Sequence, residues 1–297
     1  MGSTPTGASL FVQQAAVGSQ RGWRMPKSVS ETQLGGIPSS GTHTSGMLAN
    51  GVRARIVIPA RLASTRLAEK LLLAETGQPL IAHTYQAACK SRLAQGVTLA
   101  VDDLRLAQVA QQIRADWVMT DPLAASGTDR IAEVARSCPD IDIFVNVQGD
   151  EPEISGESID KLIELLAQEP RAMIATLATE LQSRKDIEDP SCVKVVCSHD
   201  SMALYFSRSM IPYPRDISDL SGAYLQHLGI YAYRREFLLA LDKLPASPLE
   251  RIEKLEQLRF LQAGYPIVVG IVSHAARGID TRDDYDAFLA RHRKLKS

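Results

Sequence analysis

Residues 141–152 read IDIFVNVQGDEP. An uninterrupted run of Ile, Phe and Val asks for burial on both faces, which a strand inside a parallel sheet provides. The run nevertheless stops on Gly149, two adjacent carboxylates and Pro152, and a plain turn needs neither the acid pair nor Gln148 before it. In an open parallel sheet ligands sit in the crevice beyond the carboxyl ends of the strands. Asp150 is therefore expected beside a ligand and not in the core. One carboxylate there suits Mg²⁺, which binds one or two protein carboxylates together with substrate phosphates. Pro152 restrains the residue before it toward extended backbone, and Glu151 reads as a structural hydrogen-bond acceptor. A capped turn ahead of a helix at 157–166 accounts for the same residues without a metal.

Upstream of this stretch, RARIVIPA (53–60) reads as a buried strand and IAHTYQAACKSRLAQG (81–96) as a helix closed by Gly96. VTLAVDD (97–103), DWVMT (116–120) and residues 142–148 read as strands, alternating with helices over 104–115 and 128–137. Strands separated by helices of this length imply βαβ units. Downstream the rhythm changes. MIATLATEL (173–181), CVKVVCS (192–198) and YLQHLGIYAYR (224–234) are strands with shorter connections, as in an antiparallel sub-region. Residues 247–264 read as one helix, with Ser247 as cap, Pro248 at its first position and Gly264 at its end. A late strand (266–272) and a final helix (282–294) follow. The expected fold is α/β, a predominantly parallel mixed sheet flanked by helices with an antiparallel sub-region in the second half. The expected organisation is a disordered extension over 1–52, rich in Gly, Ser, Thr and Pro. It precedes one body over 53–297, with an inserted sub-region around 180–235.

The chain of 297 residues carries 33 basic and 34 acidic side chains, a formal charge of −1. That balance argues against a broad basic surface for nucleic acid, but leaves room for a small anion held by a few focused arginines. Four cysteines without Cys-x-x-Cys spacing, and no signal peptide, read as reduced thiols in a cytoplasmic protein. No apolar stretch approaches the ~20 residues needed to cross a bilayer.

Three further segments carry chemistry. PARLASTRLAEK follows the first strand and gathers Arg61, Arg66 and Lys70 with the hydroxyls of Ser64 and Thr65 on one loop. Fixed cations and donors around one turn suit a triphosphate, although the loop is neither G-x-G-x-x-G nor Walker; a solvated basic turn is the plainer account. ASGTDR (125–130) offers Ser126-Gly127 as a tight turn with backbone donors, Thr128 as the cap of the next helix and Asp129 near its positive end; an ordinary helix start explains it equally. GIDTRDD (278–284) places Asp280 after the late strand, ahead of Thr281 as a cap. Asp280 is 130 positions from Asp150, yet both follow strands, so the two carboxylates are candidates for one divalent-metal site. Asp102 and Asp103 read as caps of the helix from Leu104. His199 and His274 show no ligand spacing and read as surface or packing residues, and there is no nucleophile elbow.

Taken together, IPARLASTRL, AVDD, ASGTDRIAEV, VNVQGDEP, VKVV, ALYFSRSMIPYPRD, HLGIYAYR, SPLERIEKLEQLR and GIDTRDD resemble the 3-deoxy-manno-octulosonate cytidylyltransferase (CMP-Kdo synthetase) family over residues 56–285. The resemblance implies a Rossmann-like nucleotidyltransferase fold, a cytoplasmic homodimer, and transfer of CMP from CTP to the anomeric hydroxyl of Kdo with release of pyrophosphate, for lipopolysaccharide biosynthesis. By that likeness Arg61, Arg66 and Lys70 hold the triphosphate, Ser126, Gly127 and Gln148 line the cytidine pocket, and Asp150 and Asp280 hold catalytic Mg²⁺. Arg208, His227, Tyr231, Glu256 and Gln257 face the sugar, Arg208 presenting a bidentate fork to its carboxylate. The chain departs from the family at two places. Ala68 and Glu69 replace a Pro-Gly pair ahead of Lys70, removing a glycine's backbone freedom and adding a negative charge beside the phosphates. Val101 stands where a Thr is common. The same chemistry on an amino-substituted Kdo, or a non-catalytic nucleotide- or sugar-acid-binding relative, are the alternative readings.

Overall fold

A computed structural model describes residues 51–297 apart from Thr65, 217–223, 274–275 and Ser297. The expected extension at 1–52 therefore lies outside the described residues but for its last two. In chain order the elements are β1 (Ala54–Ala60), α1 (Leu80–Ala88), β2 (Ala94–Val101), α2 (Leu104–Gln112), β3 (Asp116–Met119), α3 (Gly127–Ser137), β4 (Ile143–Asn146), α4 (Gly156–Gln168) and β5 (Ile174–Glu180). There follow α5 (Arg184–Glu188), β6 (Lys194–Cys197), β7 (Ala203–Ser207), β8 (Leu225–Arg234), α6 (Arg235–Ala240), α7 (Pro248–Glu253), α8 (Gln257–Gln262), β9 (Ile267–Ile271) and α9 (Arg282–Lys296).

The strands form one mixed sheet in the order β3-β2-β1-β4-β8-β5-β9, with β6 pairing β8 and β7 attached to β6. β1 runs parallel to β2 and β4, β2 to β3, and β5 to β9, whereas β8 is antiparallel to both β4 and β5. Because β8 reverses twice, β5 and β9 regain the direction of β4. The carboxyl ends of β1, β2, β4, β5 and β9 thus share one edge of the sheet, and the loops after β4 and β9 are brought to the same crevice. The antiparallel part of the second half is therefore β8 within the sheet together with the β6–β7 pair attached to it.

Successive residues of a strand face opposite sides, and β1 feeds two cores accordingly. Ile56 and Ile58 pack with Ile81, Leu106 and Leu162 from α1, α2 and α4 on one face. Val57 joins Phe144, Ile131, Phe237 and Phe260 on the other, under α3, α6 and α8. Both faces are covered, which is why the strands read as continuous apolar runs.

Two expected helices differ. The helix over 81–96 ends at Ala88, and Gly96 lies inside β2. Asp160 of α4 ends it from outside: its carboxylate accepts the backbone N–H groups of Arg92 and Leu93 and the Ser91 hydroxyl, turning the chain into the strand. α4 comes so close here that a Cβ on Gly156 would meet the Lys90 carbonyl at 2.7 Å. The single helix over 247–264 is α7 and α8, broken at Lys254, whose φ of 55° is left-handed. The break turns Leu255 into the core. Among the described residues no helix is long and apolar enough to cross a membrane.

Candidate active site

At the carboxyl edge lies a cleft of about 430 Å³ lined by Arg61, Arg66, Lys70, Gln148, Asp150 and Asp280. Three loops supply them, after β1, β4 and β9. The loop after β4 is held from both sides: Thr84 donates to the Gly149 carbonyl at 2.8 Å, and a Cβ on Gly149 would lie 3.1 Å from the Pro59 carbonyl. The loop after β9 docks on it through Ile279 N–H to the Asp150 carbonyl at 2.9 Å. Thr281 accepts from the N–H of Asp284, whose carboxylate accepts from Thr281 N–H at 2.8 Å, so α9 opens on a reciprocal cap. The two carboxylates expected to share a cation therefore do meet.

What they meet on is Lys70. Its ammonium donates to Asp150 Oδ2, to Asp280 Oδ1 at 3.2 Å and to the Ile279 carbonyl at 2.9 Å. Arg66 lies 2.8 Å from the same Asp280 oxygen. Two convergent carboxylates are a hard-oxygen donor set that fits a divalent ion such as Mg²⁺. Among the described residues no group of three or more His, Cys, Asp or Glu could hold a metal. The rest of an octahedral shell has to come from water and substrate phosphate, as is usual for Mg²⁺. Glu151, next in sequence, has its carboxyl pushed up to about 8, by burial first and the Asp150 charge second.

A second cavity, of about 830 Å³, opens between the start of α3 and the α7–α8 segment, with Ser126, Glu250, Arg251, Glu256 and Arg259 on its walls. It neighbours the cleft across Pro59, against which Gly127 packs. Ser126, not Thr128, caps α3: it accepts from Asp129 N–H, and the Asp129 carboxylate answers on Ser126 N–H. Thr128 is freed to donate to Glu256 at 2.6 Å. Burial raises the pKa of Glu256, against the opposing pull of that hydroxyl.

Among the described cavities, no single one gathers the five expected sugar-side residues. Arg208 spends its guanidinium on the carbonyls of Glu253 (2.8 Å) and Pro190 (3.0 Å), which fasten β7 to α7. His227 and Tyr231 are in ring contact at 5.3 Å, and His227 bonds Thr176 at 3.1 Å. Burial pulls the imidazole down to about 3 and pushes the Tyr231 phenol up, helped by the charge of Glu256. His227 borders a small cavity of about 150 Å³ together with Glu151 and Ser158. Gln257 is buried at the start of α8.

Sequence reasoning missed two buried cations. Arg130, 2% exposed, pairs with Asp102 at 3.2 Å, and Asp102 also accepts Leu62 N–H at 2.9 Å, tying the loop after β1 to β2 and α3. Asp103 alone caps α2. Lys194, inside an apolar strand, donates to the Asp189 and Arg208 carbonyls. No spacing marks either, since their partners are mostly backbone carbonyls and, for Arg130, a carboxylate on another strand end. His199 is exposed, as expected, and His274 lies outside the described residues.

Residues 55–268 match the family model described as Cytidylyltransferase. A 3-deoxy-manno-octulosonate cytidylyltransferase of Rhodopirellula baltica is 51% identical over 246 residues, 81% of this chain and 98% of that protein. The chain belongs to the 3-deoxy-manno-octulosonate cytidylyltransferase family. A second relative of that name, from Chloroherpeton thalassium, is 45% identical over 82% of this chain and all of its own length. Among solved structures, a CMP:2-keto-3-deoxy-manno-octonic acid synthetase complexed with CTP superposes with a TM-score of 0.78 at 40% identity, covering 82% of this chain and 99% of that one. A 4-diphosphocytidyl-2C-methyl-D-erythritol synthase of Anaerococcus prevotii, 12% identical with a TM-score of 0.53, shares the fold alone.

Against the 3-deoxy-manno-octulosonate cytidylyltransferase pattern, both departures turn away from the cleft. Glu69 takes up the left-handed backbone that a glycine would occupy freely, at φ 49°. Its carboxylate turns to Arg105 on α2, at 2.7 Å. Val101 is fully buried at the end of β2.

Proposed function

We propose that this chain transfers CMP from CTP to Kdo, giving CMP-Kdo and pyrophosphate. The observation that carries the reading is the convergence of Arg61, Arg66 and Lys70 with Asp150 and Asp280 in one cleft at the carboxyl edge of the sheet. In this reading the three cations bind the triphosphate, and Gln148, Ser126 and Gly127 hold the cytidine between the cleft and the larger cavity. The Kdo 2-hydroxyl attacks the α-phosphorus in line, forming the sugar O–P bond as the bond to the β-phosphate oxygen breaks. No covalent enzyme intermediate is needed, since positioning and electrostatic stabilisation do most of the work in phosphoryl-type transfers. Asp150 and Asp280 would hold Mg²⁺, which when bound would screen the phosphates and acidify the attacking hydroxyl.

The sugar side rests on Arg208, His227, Tyr231, Glu256 and Gln257, supported by the contacts that join His227 to Tyr231 and by the influence of Glu256 on Tyr231. The two carbonyl bonds of Arg208 leave three of its five N–H donors for a substrate. The orientation of Glu69 toward Arg105 removes the main argument for a non-catalytic relative. Four free thiols, each with its pKa raised mainly by burial, support a reducing, cytoplasmic setting. A homodimer is supported by the large apolar side chains left in the open near β7 and α7, Leu204, Tyr213 and Ile252.

The test is pyrophosphate release from CTP and Mg²⁺ with and without Kdo. Kdo-dependent release is expected, falling about 10²-fold or more in Asp150→Ala. A well-folded native chain that releases no pyrophosphate with Kdo sinks the reading.

A further inference from the structure

The place where two carboxylates converge already holds a cation belonging to the chain. An ammonium has three N–H donors, and all three of Lys70 are in use, on Asp150, Asp280 and the Ile279 carbonyl. Arg66 supplies a second cation to the same Asp280 oxygen. Such charge-assisted bonds are stronger than neutral ones, and the Lys70 side chain is only 14% exposed. Among the described residues no third acidic, His or Cys side chain joins the pair to complete a metal site. A divalent ion arriving alone would have to displace Lys70 and strip its own waters, for two protein ligands in return.

Charge points the same way. Arg61, Arg66 and Lys70 against Asp150 and Asp280 leave the cleft with an excess of one positive charge. A divalent ion alone deepens that excess. A triphosphate, bringing about four negative charges, reverses it and offers Lys70 another anion. Only the side chain needs to swing, because Leu71 next to it is anchored in the core.

We propose that Lys70 is an internal counter-ion that closes the metal site until the triphosphate draws it away, so that the divalent ion enters with the nucleotide or after it. This rests on the reading of the cleft as the CTP site. It adds an order of binding, and a role for Lys70 in the free protein distinct from holding phosphate.

The probe is Mn²⁺, followed by electron paramagnetic resonance on the full chain without turnover. The native chain alone is expected to bind Mn²⁺ about tenfold or more weakly than in the presence of α,β-methylene-CTP. Lys70→Met without nucleotide should gain about tenfold or more over the native chain, and Lys70→Met with Asp150→Asn should lose that gain. The proposal is overturned if the native chain without nucleotide binds Mn²⁺ as tightly as with the analogue. It is equally overturned if Lys70→Met, melting cooperatively, binds no more tightly than native. Should Lys70→Met fail to fold, the native comparison decides by itself. Failure of the analogue to bind in a metal-free calorimetric titration would strike the CTP reading instead, leaving the nucleotide-free comparison of native and Lys70→Met to judge the counter-ion.

Discussion

Glu69 shows how a single position can break a local rule and leave the site intact. A non-glycine residue held left-handed costs about 1 kcal/mol, and the ion pair with Arg105, half exposed on both sides, returns little of it. Glu69→Gly is therefore expected to raise the urea midpoint and leave Kdo-dependent pyrophosphate release within a factor of about three. Glu69→Ala, which keeps the strain and loses the ion pair, should lower the midpoint. A fall with Gly would mean that the Arg105 tether, not the backbone, governs this loop. His227 provides the pH dependence at this scale. Its folded pKa, about 3, lies below the ordinary 6.5 because burial disfavours the imidazolium. The unfolded chain thus takes up a proton between pH 6.5 and 3 that the folded chain refuses. Stability tied to this residue is full above pH 6.5 and declines as pH falls, by at most about 1.4 kcal/mol per unit. Urea unfolding of native and His227→Gln at pH 7.5 and 5 should show the native chain losing more. Equal losses would mean that the imidazole is not desolvated.

At the level of elements, helix ends are set by neighbours as much as by propensity. The helix after β1's loop stops at Ala88 because Asp160 captures the following backbone, and α4 approaches that turn over a glycine. Alanine favours a helix over glycine by about 1 kcal/mol, which on propensity alone makes Gly156→Ala stabilising. The 2.7 Å approach to the Lys90 carbonyl says the reverse, since backbone on both sides has to move. The expected result is a loss of about 1–3 kcal/mol, read as a lower thermal midpoint. An unchanged or higher midpoint would show that α4 shifts freely. The break at Lys254 belongs here too: the periodicity of residues 247–264 is that of one helix, and burial of Leu255 and Leu258 splits it in two.

For the whole molecule, β7 is laddered only to β6 among the described residues, save for the bridge from Met202 ahead of it to Val268 of β9, and Leu204 on it is 61% exposed and Ile252 on the adjoining α7 74% exposed. An open strand edge beside large apolar side chains is a surface that invites a partner. Sedimentation at micromolar concentration should show a dimer in the native chain, and Leu204→Asp with Ile252→Asp should shift it to monomer. A native chain that sediments as a monomer removes the homodimer reading.

The sequence by itself determined the layered α/β architecture, because strands buried on both faces must be apolar throughout and α2, α3 and α4 carry their own caps. It also determined which loops carry charge, since Arg61, Arg66, Lys70, Asp150 and Asp280 stand in the segments that follow apolar runs that have to end at a sheet edge. Only the tertiary structure decided how these residues meet. That Asp150 and Asp280 share one ammonium depends on β8 reversing direction between β4 and β5, which restores β9 to the direction of β4. The buried Asp102–Arg130 pair and the three-way grip on Lys70 depend on the same assembly. Periodicity and capping act over a few residues and are written locally; a charge is neutralised by whatever the folded chain brings within a few ångströms, and its partner leaves no mark nearby in the sequence.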